Sequence, residues 1–271
     1  KLEEAGVHVV YGLMGLKTHA KLSLVIRQEE SGLNRYCHVG TGNYNPKTAR
    51  LYEDLGLLSA DPVLCDDLSR LFNQLSGFVS DIEFNRLIVA PKSLRKSLIN
   101  KIDREIENAR EGKPAHIRFK LNSLLDEQFV SALYRASQAG VKVEIVVRGI
   151  CALKPGIVGL SENITVRAIL GRFLEHSRVY HFHNAGKDEY WIGSADLMNR
   201  NLDRRIETLI SIQSQSHKEQ INQLLSLYLS PEVKRWQMDS EGLWKRVLLS
   251  EANEELIDIQ EHLIGESRAR R

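Results

Sequence analysis

Two short stretches of this chain, His19-Ala20-Lys21 and His176-Ser177-Arg178, carry side chains suited to phosphoryl chemistry. In each, an imidazole and a cation stand two residues apart. Side chains alternate across a strand, so the two groups of each motif project from one face. Around His19 that polar face continues to Ser23, and Ala20, Leu22 and Leu24 form the opposite, apolar face. A neutral imidazole can attack phosphorus and form a phosphoramidate. A second imidazole can shuttle a proton or hydrogen-bond a transferring oxygen. Lys21 and Arg178 would neutralise non-bridging oxygens, Arg178 with a bidentate option.

An isolated histidine is by default structural. For His19 and His176 an internal repeat reverses that default. Val7 lies 12 residues before His19, and Ile164 lies 12 residues before His176. A turn-rich segment follows each: Gly40-Thr41-Gly42-Asn43, and Gly193-Ser194-Ala195-Asp196. Then Asn45, Arg50 and Glu53 match Asn199, Arg204 and Glu207 at identical internal spacing. Each copy ends in an apolar stretch and a capped helix, from Asp61 in the first and from Ser216, in capping-box form with Glu219, in the second. Two motif faces packed about a pseudo-two-fold axis would bring two imidazoles and two cations into one site. His8, His38, His116, His217 and His262 have no such support and read as structural. His181 and His183 share a strand face, but spacing places no third metal ligand beside them.

The elements that must carry these groups alternate between strand and helix. Val7 to Tyr11 and His19 to Ile26 read as strands. Asp61-Pro62 opens a helix with Leu64, Leu68, Leu71, Phe72 and Leu75 on its buried stripe, stopped at Gly77. Leu87 to Ala90 is a short apolar strand. A helix from Ser93 carries Leu94, Leu98, Ile102, Ile106 and Ala109 and ends by Gly112. Ile117 to Leu121 is a strand, Asp126 to Ala139 a helix, and Val141 to Val147 a strand apolar enough to be covered on both faces. This order predicts an α/β fold with a parallel-rich sheet. Trp236 and Trp244, eight apart, suit one face of a tail helix, and Arg268 to Arg271 a solvated helix end. Arg148, at the C-terminal end of an apolar strand, stands where ligands of parallel sheets bind. Asn43 and Asn45 are placed to orient the site, just beyond the first histidine strand.

With 271 residues, 42% of them hydrophobic, the chain can form one large or two modest domains. Its net charge of +2 neither demands nor excludes a polyanionic partner. Cys37, Cys65 and Cys151 are scattered, which fits a reducing cytoplasm better than a disulfide framework. No apolar run is long enough to span a bilayer, and a peripheral position at the inner face of the membrane stays open. The repeat divides the chain into 1–84, the C-terminal part of a first catalytic unit, and 85–271, a second unit with a helical tail. Two helices and a strand precede the second copy, so a half-domain is expected upstream of the first.

Paired His-x-Lys motifs followed by Gly-Ser/Thr turns resemble the phospholipase D superfamily. Longer strings resemble polyphosphate kinases of the long, multidomain type: Lys17-Thr18-His19-Ala20-Lys21, the run from His38 to Tyr52, Val147-Arg148-Gly149-Ile150, the run from Leu174 to Tyr180, and Gly193-Ser194-Ala195-Asp196. The resemblance covers nearly the whole chain and weakens after about Pro231. It implies two phospholipase D-like α/β units related by the internal repeat, the first truncated at its N-terminus. It also implies reversible transfer of the ATP γ-phosphate to polyphosphate through a phosphohistidine on His19, with His176 as the second essential histidine. Lys21, Asn43, Tyr52, Arg148, His176 and Arg178 are then the ATP- and phosphate-binding set, Tyr52 lying against adenine and Arg148 on nucleotide phosphate. Magnesium is expected, with ligands upstream of this chain and none within it. ATP, ADP and polyphosphate are the expected partners, without nucleic acid, in a homo-oligomer of the full-length protein. Two departures weigh against a diesterase or nuclease: Ile26 stands where the diesterase pattern has Asp, and Arg178 where lysine is usual. A catalytically silent polyanion-binding module is the rival of another class.

Overall fold

The structure, a computed structural model, describes residues 1–77 and 83–269. The first part holds β1 (Lys17–Thr18), the hairpin β2 (Lys21–Glu29) and β3 (Gly32–Gly40), α1 (Pro46–Ala49), β4 (Tyr52–Glu53), β5 (Gly56–Ser59) and α2 (Pro62–Leu75). Next come β6 (Leu87–Ala90), α3 (Leu94–Arg110), β7 (His116–Leu121), α4 (Glu127–Gln138), β8 (Lys142–Val147) and β9 (Ile164–Ala168). The chain continues through β10 (Leu174–Glu175), β11 (Val179–Phe182), β12 (Glu189–Gly193), α5 (Asn199–Asp203) and β13 (Arg205–Ser211). It ends with α6 (Gln215–Leu229), β14 (Arg235–Met238), β15 (Trp244–Val247) and α7 (Ile259–Ala269). The α/β class is the one expected.

Capping chemistry sets several helix starts. Asp61 accepts from Leu64 N at 2.8 Å with Pro62 at the first helical position of α2, and Asp126 accepts from Phe129 N at the start of α4. The expected capping box at Ser216 is absent. Ser214 is the N-cap of α6, without a side-chain cap bond, and its hydroxyl meets that of Ser216 inside the helix. The two tail tryptophans lie on a hairpin rather than a helix: Trp236 is on β14 and Trp244 on β15. The turn between them is built by Asp239, which accepts from Glu241 N and Leu243 N, and by Gly242 at φ 83°. Arg268 is an exposed residue of α7, and Arg270 and Arg271 lie outside the described residues. No strand forms at Val7 to Tyr11; Val7, Val10 and Tyr11 are 46%, 44% and 86% exposed. A strand needs a neighbour for its backbone groups, and among the described residues that segment has none.

The main sheet, among the described residues, has ten strands in the order β1-β13-β12-β11-β7-β8-β9-β14-β15, with β6 also on β13. The expected parallel-rich sheet is only partly present. β7, β8 and β9 are parallel neighbours and β1 joins β13 in parallel, but the remaining pairings of this sheet are antiparallel. β11–β12 and β14–β15 are joined by links too short for a crossover helix, and short links force antiparallel neighbours. β6 pairs with β13 instead of flanking β7.

Each histidine motif follows a two-residue strand, and these two strands pair reciprocally across the repeat. β1 pairs in parallel with β13, Lys17 opposite Arg205 and Thr18 opposite Ile206. β10 pairs in parallel with β4, Leu174 opposite Tyr52 and Glu175 opposite Glu53. Every copy therefore lends its histidine strand to the post-turn strand of the other. The expected strand from His19 breaks at the histidine: His19 N and Ala20 N both donate to Ile206 O at 3.0 Å, and from Lys21 the chain enters a separate three-stranded sheet, β2-β3-β5. The apolar core follows this exchange. Leu64, Leu68 and Leu71 of α2 pack with Val89, Ile192, Ile206, Ile210 and Leu225, so residues 1–84 and 85–271 share one core.

Helices α3 and α4 cover one face of the β7–β9 region through Leu98, Ile102, Phe129 and Leu133, against Phe119, Ile145 and Val166. The face toward α6 is charged instead. Lys120 of β7, 2% exposed, lies between Glu53 and Glu175, 2.9 Å from each carboxylate and 4.6 Å from the Tyr228 ring of α6. Burial raises the Glu175 carboxyl; at Glu53, burial is outweighed by Lys120 and its hydrogen bonds, and the carboxyl is held low. Breaking a buried charge set by removing one partner leaves the others desolvated. Lys120→Met should therefore cost about 3–5 kcal/mol in denaturant unfolding, whereas a change below about 1 kcal/mol would show the cation to be dispensable to the fold.

Candidate active site

The strand exchange delivers the two histidines to one region with opposite hydrogen-bonding. His19, its side chain 20% exposed, places Nδ1 2.8 Å from Glu207 Oε2. A carboxylate only accepts, so Nδ1 carries the proton and the neutral ring keeps its lone pair on Nε2. Glu207 is fully buried and held in turn by Ser194 Oγ on Oε2 and by Asn201 Nδ2 at 2.7 Å on Oε1. Ser194 belongs to the turn after β12, where a Cβ on Gly193 would meet Thr208 O at 1.9 Å, so glycine is required for the turn to pack on β13.

His176 is 7% exposed, and its Nδ1 is buried without a hydrogen-bond partner among the described residues. By repeat position Glu53 should do for His176 what Glu207 does for His19. Its carboxylate instead takes Ser177 Oγ at 2.8 Å and Lys120 Nζ at 2.9 Å, and only its backbone oxygen reaches His176, accepting His176 N at 2.9 Å. The His176 ring packs on Tyr52, centroids 4.8 Å apart and planes tilted by 35°. Burial first, then the charges of Arg178, Lys21 and Arg148, push the His176 imidazole down to about 3. At neutral pH it is uncharged. The influence of Lys21 on His176 shows that the two motifs share one electrostatic site.

The cations divide into two kinds. Arg178, 3% exposed, is neutralised: its Nη2 and Nε bond Asp196 at 2.9 and 3.3 Å, and Nη1 donates to His176 O at 2.6 Å. Burial would raise Asp196, but Arg178 and the Asn122 donors hold its carboxyl below the ordinary value. Lys21 mirrors Arg178 by donating to His19 O, yet among the described residues it has no salt-bridge partner. Burial lowers the Lys21 ammonium to about 8 against the attraction of the nearby Glu207, with Arg178 and Arg205 adding to the shift. Arg148 is half-buried, donates Nε to Glu175 O and has no carboxylate partner among the described residues; burial and then Arg178 lower it. Asn43 is half-buried in the turn after β3, where its counterpart in the other copy is Asp196. Asn45 caps α1 through Lys47 N and Thr48 N.

Glu207, Ser194, Asn201 and the Lys120–Glu175 pair complete the surroundings of the histidines and were not among the sequence candidates. Glu207 was within reach, since it occupies a matched position of the repeat. His181 is not half of a metal pair: it lies between Arg118 Nε, on Nδ1, and Asp188, on Nε2, while His183 Nδ1 accepts Gly186 N. Among the described residues no group of three or more histidine, cysteine or acidic side chains is placed to hold a metal ion. Nor is any helix there long and apolar enough to cross a membrane. The described residues thus bring together an imidazole on an acid, a neutral second imidazole, and two cations without a salt-bridge partner among them.

The chain matches known proteins along almost its whole length. The family described as polyphosphate kinase C-terminal domain 1 matches residues 1–81, and polyphosphate kinase C-terminal domain 2 matches 87–259. Polyphosphate kinase of Streptomyces coelicolor is 58% identical over 271 residues, which is 100% of this chain and 36% of the relative. That of Mycobacterium leprae is 52% identical over 273 residues, covering 99% of this chain and 36% of the relative. The crystal structure of polyphosphate kinase from Porphyromonas gingivalis superposes with a TM-score of 0.90 at 35% identity, covering 99% of this chain and 42% of that one. The chain thus spans little more than a third of the length of these curated relatives. It belongs to the polyphosphate kinase family.

Proposed function

We propose that this chain carries the histidine pair of a polyphosphate kinase, which transfers the ATP γ-phosphoryl group reversibly to polyphosphate through phospho-His19. The observation that carries the reading is the unequal histidine pair beside two cations with no salt-bridge partner among the described residues, Lys21 and Arg148. Cations left unpaired in a desolvated site call for an anionic ligand. His19 Nε2 attacks the γ-phosphorus, the bond to the bridging oxygen breaks, and ADP departs with that electron pair. The ring becomes cationic as the N–P bond forms, and Glu207 stabilises that charge through Nδ1–H. A terminal polyphosphate oxygen then attacks phosphorus, breaks the N–P bond and restores the neutral ring. His176, uncharged, donates one N–H to a transferring oxygen, while Lys21 and Arg148 offset the charge on the others. Tyr52, which packs on the His176 ring, would lie against the nucleotide base, and Asn43, in the turn after β3, would face a phosphate. Magnesium would accompany the nucleotide phosphates, held by their oxygens and by ligands supplied upstream of this chain. The cytoplasm, where ATP is abundant, is the matching compartment.

The decisive measurement uses full-length enzyme and γ-labelled ATP with magnesium. Acid-labile, alkali-stable label on the wild type, lost in His19→Gln, is the expected result. Full-length protein without label would sink the mechanism and favour a silent polyanion-binding module or a diesterase. Glu207→Gln removes the anion that supports the cationic ring and should slow labelling about 10- to 100-fold, with the fold retained. The pH profile follows from Lys21, which is charged below its folded value and neutral above it. The free-enzyme kcat/KM for ATP should fall as pH rises through about 8. Lys21→Arg should move that fall to higher pH, and an unmoved limb would assign it to another group.

A further inference from the structure

The lack of an acid on His176 Nδ1 raises the question of what orients this ring. Its backbone is held on both sides, by a backbone carbonyl of the paired strand and by an arginine side chain. His176 N donates to Glu53 O, and Arg178 Nη1 donates to His176 O. Upstream, the holding residue is Gln260, in the first turn of α7 and 4% exposed. Gln260 Oε1 accepts Phe173 N at 2.8 Å, and Nε2 donates to Phe173 O at 2.9 Å, the pattern a neighbouring strand would supply. These two bonds fix which end of the amide is oxygen. The same Nε2 donates to Glu175 Oε1 at 2.6 Å, while Tyr228 OH donates to Glu175 Oε2 at 2.6 Å. A Cβ at Gly171 would lie 2.5 Å from Gln260 Oε1, so glycine leaves room for the amide.

The rest of α7 does little of this holding. Ile259 and Gln260 are its buried residues, Leu263 and Ile264 are half-buried, and the remaining described positions are exposed. Clefts of about 320 and 670 Å³ flank the helix, the first between Phe173, Gln260, Leu263 and Ile264, the second beside Leu224 and Leu227 of α6. The helix docks by its first turn, and that turn grips residues 173 and 175, just before His176.

We propose that Gln260 is a positioning residue for phosphoryl transfer, setting the Phe173 backbone and the Glu175 carboxylate and through them the placement of the His176 ring. It rests on the reading that His176 acts in the transfer from or to His19. A ring without an acid partner depends on its backbone and on Tyr52 stacking, so loosening residues 173 to 175 displaces it. Displacements near 1 Å can cost about a hundredfold in rate.

The test is a double-mutant cycle in the full-length enzyme, with kcat and KM for ATP measured for wild type, Gln260→Ala, His176→Ala and the double variant. Gln260→Ala should lower kcat about 10- to 100-fold with KM for ATP changed less than about twofold. In the His176→Ala background the same substitution should cause no further loss, because its effect runs through the ring. Equal losses in both backgrounds, or an intact kcat with a lowered Tm, would overturn the proposal. If Gln260→Ala fails to fold, Tyr228→Phe, which removes one hydrogen bond to Glu175, carries the same cycle. Labelling of His19 in the same wild-type sample separates the two readings. Absence of label overturns the mechanism itself, and label with additive losses overturns the role of Gln260 alone.

Discussion

The reciprocal pairing of β1 with β13 and of β10 with β4 is the constraint on which the rest of the site depends. Two-residue strands contribute little on their own, since a ladder this short fixes backbone for few hydrogen bonds. Their value lies in position. Each ends one residue before a histidine, and each lies beside the strand that bears the matched acid of the other repeat. Thr18 opposite Ile206 puts His19 next to Glu207, and Glu175 opposite Glu53 puts His176 next to the Glu53 backbone. A one-residue slip would turn every side chain to the other face and separate both histidines from these partners. The shared apolar core, in which α2 packs on strands of the second part, holds the register by burial.

Within that near-symmetric frame the two halves have diverged by redirecting one carboxylate. Glu207 has Ser194 and Asn201 as neighbours, and both donate to it, so its remaining capacity turns to His19. Glu53 faces Lys120 and Ser177, and the buried ammonium outcompetes a neutral imidazole for the anion. Position 20 in the first motif is Ala, where the second has Ser177; the hydroxyl is one of the groups that draws Glu53 away. The consequence is chemical specialisation. One ring directs its Nδ1 at a buried carboxylate, and the other is kept neutral by burial and nearby cations.

Much of this was legible in the sequence, for identifiable reasons. Helices α2, α3 and α4 announced themselves through Asp61-Pro62, Asp126 and apolar spacing, because capping and amphipathicity are local. The paired motifs and the matched Glu53 and Glu207 emerged from the repeat. The α6 N-cap, the Val7–Tyr11 segment and the tryptophan hairpin did not. The first depends on a difference of two residues among serines, the second on the absence of a neighbour, and the third on reading Asp239 to Gly242 as a turn instead of reading the tryptophans as a helical face. Nor could spacing show that Glu53 would meet Lys120, since that contact is made across 67 residues and belongs to tertiary packing.

The three motif-associated cations are accommodated in two different ways. A buried arginine without a counter-ion is costly, and Arg178, the most enclosed of the three, has a bidentate carboxylate and a carbonyl as partners. Lys21 and Arg148 keep only backbone carbonyls, which orient them without cancelling their charge. Their strain is visible in the lowered affinity of both for their protons. On the proposed function an anionic ligand would relieve it by supplying negative charge, which would link ligand binding to the stability of the charged site. The same positive field holds His176 neutral, and an arriving anion weakens it. In the proposed mechanism, substrate charge would therefore act on the second imidazole at the moment when it hydrogen-bonds the transferring group.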